Sequence, residues 1–166
     1  MLGDLTEGWI RHDVDSGFDM LESLDFDEQT AARASIDDFA RDPARRKEVS
    51  ARILQIQDPE LLANVVHDFG AKWAKEDPRA AATWFDQIEF EDPTTAFRSG
   101  NLIGEGFFQQ YPREAVDWFF PKVPDEMREH FLKGLVGGGW AQRDRAAASQ
   151  WLQDNGFDPD EIIQSN

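Results

Sequence analysis

The sequence predicts an all-α fold, an α–α superhelix of about five helical hairpins. Three observations carry that prediction. Aromatic residues 11 apart recur at intervals of 33 and 34, Asp-Pro pairs of the kind that open helices recur with them, and no stretch alternates β-branched with polar residues.

The recurrence is plainest from the C-terminal side. In "GGGWAQRDRAAASQWL" stand Gly137, Trp140, Asp144 and Trp151. "GEGFFQQYPREAVDWF" places Gly104, Phe107, Tyr111 and Trp118 at the same spacings, and "GAKWAKEDPRAAATWF" repeats them with Gly70, Trp73, Asp77 and Trp84. At the N-terminal end, "WIRHDVDSGFDML" sets Trp9 and Met20 at the same separation, with Asp13 in the place of Asp77 and Asp144. "FARDPARRKEV" gives Phe39, Pro43 and Val49 in the same order with one residue missing. These make five units near 1–26, 27–57, 58–91, 92–123 and 124–157, then a short tail, all in a single domain spanning 1–166.

Each unit reads as two helices around a tight turn. In "DPELLANVVHDFGAKWAKE", Asp58 caps the first helix and Pro59 takes its first position, where a missing N–H does no harm. Leu62, Val65, Val66, Phe69 and Trp73 recur at the helical period. Asp77-Pro78 then opens the second helix, and Asp92-Pro93 and Pro124-Asp125 open later units. The run Gly137–Gly139 is costly, since each glycine in a helix interior loses roughly 1 kcal/mol against alanine. Gly70, Gly104 and Gly137 share one place in the repeat, which predicts close helix packing there, with Gly138 and Gly139 kinking or loosening their helix. A phosphate-cradling loop needs a preceding strand and usually a lysine after the glycines, whereas here Trp140 and Ala141 follow.

The chain holds 33 acidic and 17 basic residues, a net charge of −16, with 13 Phe, 6 Trp and no Cys. The aromatics argue for a packed core. The missing cysteines exclude disulfides, thiolate metal sites and a cysteine nucleophile. Residues 1–30 carry −8 and residues 151–166 carry −4, so acidity gathers at the ends. It disfavours direct contact with nucleic acid. With no membrane-length apolar run and no signal-peptide pattern, the expectation is a soluble, cytoplasmic protein.

The 33–34 residue period, the paired helices, and the small residue followed three later by an aromatic resemble tetratricopeptide-type repeats. The family's Gly-Asp/Asn-Tyr turn is replaced by "EDPRA" or "YPREA", so a divergent member and a HEAT-like array both stay open. The resemblance implies a concave groove, lined by the first helix of each unit, that holds a protein or peptide. Matching Gly70 and Trp73 to the family's small and aromatic positions places Asn64, His67, Ala71 and Lys75 toward that groove. The next unit adds Arg98, Asn101, Glu105 and Gln109, and the second adds Arg33, Asp37 and Arg41. The resemblance thus implies Asn64, His67, Lys75, Arg98, Asn101 and Glu105 as partner-binding residues, with the bases suited to a carboxylate.

Enzymatic chemistry finds no foothold in the sequence. His12, His67 and His130 are far apart, and no Gly-x-Ser-x-Gly or His-Glu-x-x-His motif occurs. "DVDSGFDMLE" resembles a calcium loop, but its glycine, Gly17, falls at the fifth position and Leu24 takes the twelfth. The expectation is therefore no enzyme, no cofactor and no metal. Two function classes stand: a scaffold binding a protein or peptide in its groove, and an acidic decoy or inhibitor whose charged ends occupy a partner's basic or nucleic-acid-binding site.

Overall fold

A computed structural model describes Gly8 and residues 12–163, and every regular element among them is helical. Trp9 lies outside the described residues, as does the side chain of Asp37. In chain order the elements are α1 (Val14–Ser23), α2 (Phe26–Asp37) running into a 3-10 turn (Asp38–Arg41), α3 (Pro43–Ile53), α4 (Pro59–Glu76) and α5 (Pro78–Phe85). There follow α6 (Pro93–Gln110), α7 (Pro112–Phe119) with a 3-10 turn (Phe120–Lys122), and α8 (Asp125–Phe131). A π-helical segment (Leu132–Trp140), α9 (Ala141–Arg143), α10 (Arg145–Asp154) and α11 (Pro159–Ile162) complete the order. No described helix is long and apolar enough to cross a membrane.

Short polar residues set these helix starts. Asp58 accepts from the amides of Glu60 and Leu61, and Asp77 from that of Ala80. Asp92 accepts from both the amide and the hydroxyl of Thr95. Asp42, Asp144 and Asp158 cap α3, α10 and α11 in the same way. Each carboxylate satisfies donors that the first turn leaves without a partner. Five of these helices begin on proline directly after the cap, at 43, 59, 78, 93 and 159. Proline's fixed φ suits that position.

The chain divides into two compact units, Met1–Gly106 and Phe107–Asn166. In the first, Val65, Val66 and Phe69 of α4 are fully buried with Phe18, Leu21, Ile36 and Ile53. Leu61, rather than the expected Leu62, completes that face. Trp73 and Trp84 meet across the α4–α5 turn with ring centroids 5.5 Å apart. The Trp84 indole N–H reaches back to the Ser50 carbonyl at 3.2 Å. Arg52 staples α3 to α1, since its Nη2 donates to Asp19 and Glu22 at 2.8 Å each and Phe18 lies under the guanidinium. Burial acts against this charge, but the two carboxylate hydrogen bonds outweigh it and raise the Arg52 pKa.

In the second unit the aromatic pairs recur. Phe107 meets Trp118 at 6.1 Å, and Trp140 meets Trp151 at 6.5 Å. Trp151 is 1% exposed, and its indole N–H donates to Asp117 at 2.6 Å. The pairing is uneven in depth: Trp84, Phe107, Trp140 and Trp151 are buried, but Trp73 and Trp118 are only half-buried. Trp118 gives one face to the Lys122 ammonium, 4.6 Å from its ring centroid, a use of the ring that keeps it near water.

Candidate functional site

The six residues implied by the resemblance all lie on α4 and α6, within the first compact unit. Asn64, His67 and Asn101 are half-buried, whereas Lys75, Arg98 and Glu105 are exposed. His67 Nδ1 stands 3.1 Å from the Arg98 carbonyl oxygen. With its proton on Nδ1, the ring donates to that carbonyl and ties α4 to α6. Positions 67 and 98 are therefore neighbours. Asn101 adds a buried Oδ1 with no hydrogen-bond partner in the structure. Arg33 of α2 reaches Asp68 of α4 at 3.9 Å, so its charge is engaged between helices.

Arg98 itself borders a hollow of about 270 Å³ at the start of α4, with Leu62, Phe90 and the three carboxylates Glu60, Glu89 and Glu91 in its walls. Hydrogen bonds from the Thr95 hydroxyl and amide hold the nearby Asp92 carboxyl below its ordinary value, and the Arg98 charge acts in the same direction. The surroundings of Arg98 thus carry both signs of charge.

A larger cavity, about 760 Å³, lies in the second unit along α8, the π segment and α9. Its floor is nearly bare of side chains, being formed by Gly134, Gly137, Gly138 and Ala141. His130, Lys133, Gln142 and Arg145 stand on its rim with Glu126 and Glu129, and Ile162 and Ile163 close one end. Lys133 donates to Glu129 at 2.6 Å, and this bond with its charge lowers the Glu129 pKa. A Cβ at Gly137 would overlap the Ile162 carbonyl oxygen, and one at Gly139 would come within 3.3 Å of Phe108. At Gly134 it would meet nothing, and at Gly138 only the Lys133 carbonyl at an ordinary 3.4 Å.

The glycine run is therefore neither a phosphate loop nor a kinked α-helix but a π-helical segment with two packed glycines and two open ones. Glycine packing takes different forms along the repeat. A Cβ at Gly70 would strike the end of the Ile103 side chain, whereas at Gly137 the obstacle is backbone. Gly104 is buried. The expected binding residues did not include the rim of this cavity, although the sequence holds a signal for it in the distance between helix caps. No family model matches the chain, and neither a curated protein nor a solved structure matches it.

Proposed function

We propose that this protein is an interaction scaffold, not an enzyme, whose helical hairpins form a tetratricopeptide-like array and hold a polar segment of a protein partner. The residues assigned to that contact are Asn64, His67, Lys75, Arg98, Asn101 and Glu105. The observation that supports the assignment is the His67–Arg98 bond, which joins α4 and α6, the first helices of two adjacent units of the sequence repeat. Amides such as Asn64 and Asn101 offer both a donor and an acceptor, the pair that an extended peptide backbone needs. Lys75 and Arg98 add exposed cations for carboxylates. The glutamates beside Arg98 favour a segment carrying both signs of charge.

The alternative, an acidic decoy, rests on the charge at the chain ends. Asp15 and Asp19 of α1 are 81% and 75% exposed, yet both face Arg52 together with Glu22. Part of that acidity therefore serves to hold α1 to α3, and the scaffold reading is preferred.

A display library of random peptides screened against the full chain supplies the test. Arg98→Ala should weaken a selected peptide about tenfold without lowering the melting temperature, because an exposed arginine adds little to stability. The difference should shrink at high salt. Under the decoy reading, Asp13→Asn with Asp15→Asn abolishes binding and Arg98→Ala does nothing. A selected peptide indifferent to Arg98→Ala, Lys75→Ala and Asn101→Ala alike would sink the scaffold assignment.

A further inference from the structure

The helix caps of successive hairpins are not evenly spaced. From the start of the first helix to the start of the second there are 19 residues between Asp58 and Asp77, and 19 between Asp92 and Tyr111. Between Pro124 and Asp144 there are 20. From the same first caps to the repeated glycine the steps are 12, 12 and 13 residues, whereas from that glycine to the second cap all three are 7. One extra residue thus lies before Gly137. The π-helical segment Leu132–Trp140 spans that glycine. A π turn closes its hydrogen bonds one residue later than an α turn, so it absorbs an added residue and returns the helix to phase. Such turns are frequent at functional sites.

The repeat also shows what covers this face elsewhere. A shift of 67 residues carries Gly70, Ala71, Ala74 and Lys75 of α4 onto Gly137, Gly138, Ala141 and Gln142. On α4 the face is occupied by α6, with Ile103 over Gly70 and Gly106 against Ala74. On the later copy, among the described residues, no helix of that length lies over the face. Asp158 opens α11, 34 residues after Pro124, but α11 ends at Ile162, whose carbonyl lies against Gly137. The rest of the face is the 760 Å³ cavity.

We infer that this glycine-floored cavity is a docking groove for an α-helix of a partner protein, laid along the π segment as α6 lies along α4. The helix presents an aliphatic residue followed three positions later by glycine or alanine, as Ile103 and Gly106 do. It continues the interface that Ile162 and Ile163 begin. Its polar flanks meet Glu126 and the Glu129–Lys133 pair on one part of the rim, and Gln142 and Arg145 on another. The inference concerns a different surface from the one proposed above, and it stands whether or not Arg98 binds a peptide.

The probe is a fluorescein-labelled synthetic peptide with the sequence of α6, residues 93–110, titrated into the full chain. Wild type should bind it saturably. Gly134→Leu and Gly138→Leu fill the groove where space is open, and each should weaken binding about tenfold or more with no fall in melting temperature. Arg98→Ala should leave this binding unchanged. Because the chain has no cysteine, Gln142→Cys gives a second reading that does not depend on the leucine variants folding. Saturating peptide should slow alkylation of that thiol. Absence of saturable binding, wild-type affinity in folded Gly134→Leu, or unslowed alkylation would each overturn the inference. So would concentration-dependent dimerisation abolished by Gly134→Leu, which would assign the groove to a second copy of this chain.

Discussion

Three glycine-to-alanine substitutions in this chain should move stability in different directions, and the structure says why. At Gly134 the added methyl meets nothing within 4 Å. The change therefore collects the intrinsic preference of a helix interior for alanine, about 1 kcal/mol at most. For a chain of this length that raises the melting temperature by about 2–4 °C. At Gly137 the methyl overlaps the Ile162 carbonyl oxygen and approaches the carbonyl carbon to 3.2 Å. Backbone cannot rotate away as a side chain can, so α11 must move. Ile162 and the following Ile163, 8% and 3% exposed, then lose part of their burial. Full burial of each is worth about 1.5–3 kcal/mol, and overpacking typically costs about 1–3 kcal/mol. After the alanine preference is subtracted, Gly137→Ala should destabilise by roughly 1–2 kcal/mol, which lowers the melting temperature by about 2–8 °C. Gly70→Ala falls between the two, because the atom it strikes is the end of the Ile103 side chain. Thermal melts followed by far-ultraviolet circular dichroism order the three variants. A Gly137→Ala protein melting at or above wild type, or a Gly134→Ala protein melting below it, would refute the placement of this segment against α11.

Trp151→Ala should cost about 3–5 kcal/mol, the range for a fully buried large aromatic, whereas half-exposed Trp118→Ala should cost roughly 1–2 kcal/mol. Urea titrations giving equal losses would contradict their difference in burial. Asp13, held low by its Ser16 hydrogen bond, and Asp92, held low by Thr95, both have folded pKa values below the ordinary aspartate value. Each therefore adds stability that is complete above its unfolded value and lost as pH falls through the lowered folded one. Melting temperature should decline on acidification through that window, and Asp92→Asn should shallow the decline. An identical pH profile in the variant would exclude Asp92 from the effect.

The helical class and the helix starts were legible because their causes are local. An Asp followed by Pro determines a cap from adjacent residues alone, and Asp58, Asp77 and Asp92 all cap as their sequence predicts. The 11-residue aromatic spacing was legible for a related reason, since it spans a single turn, and its rings do meet in three hairpins. Depth was less legible. Spacing locates Trp118 on the inner side of its helix but carries no information about Lys122, which draws one ring face toward solvent. The six residues assigned by resemblance fall on two neighbouring helices, but the acid-lined hollow beside Arg98 comes from Glu89 and Glu91 in a connection between helices, which periodicity does not describe.

The three consecutive glycines show where a purely packing-based reading stops. Packing accounts for Gly137, pressed on a backbone carbonyl, and for Gly139, pressed on the Phe108 ring. It does not account for Gly134 or Gly138, where a methyl group has room. Each of these two costs helix stability of roughly 1 kcal/mol relative to alanine, with no steric reason for it. What they share is position, since both form the floor of the 760 Å³ cavity beside Gly137. A side chain at either would occupy the space in which a docked helix would lie. Unneeded for the fold and costly to it, the two open glycines are explained by a surface that must stay flat for a neighbour, and they lie in the π segment that takes up the extra residue of this hairpin.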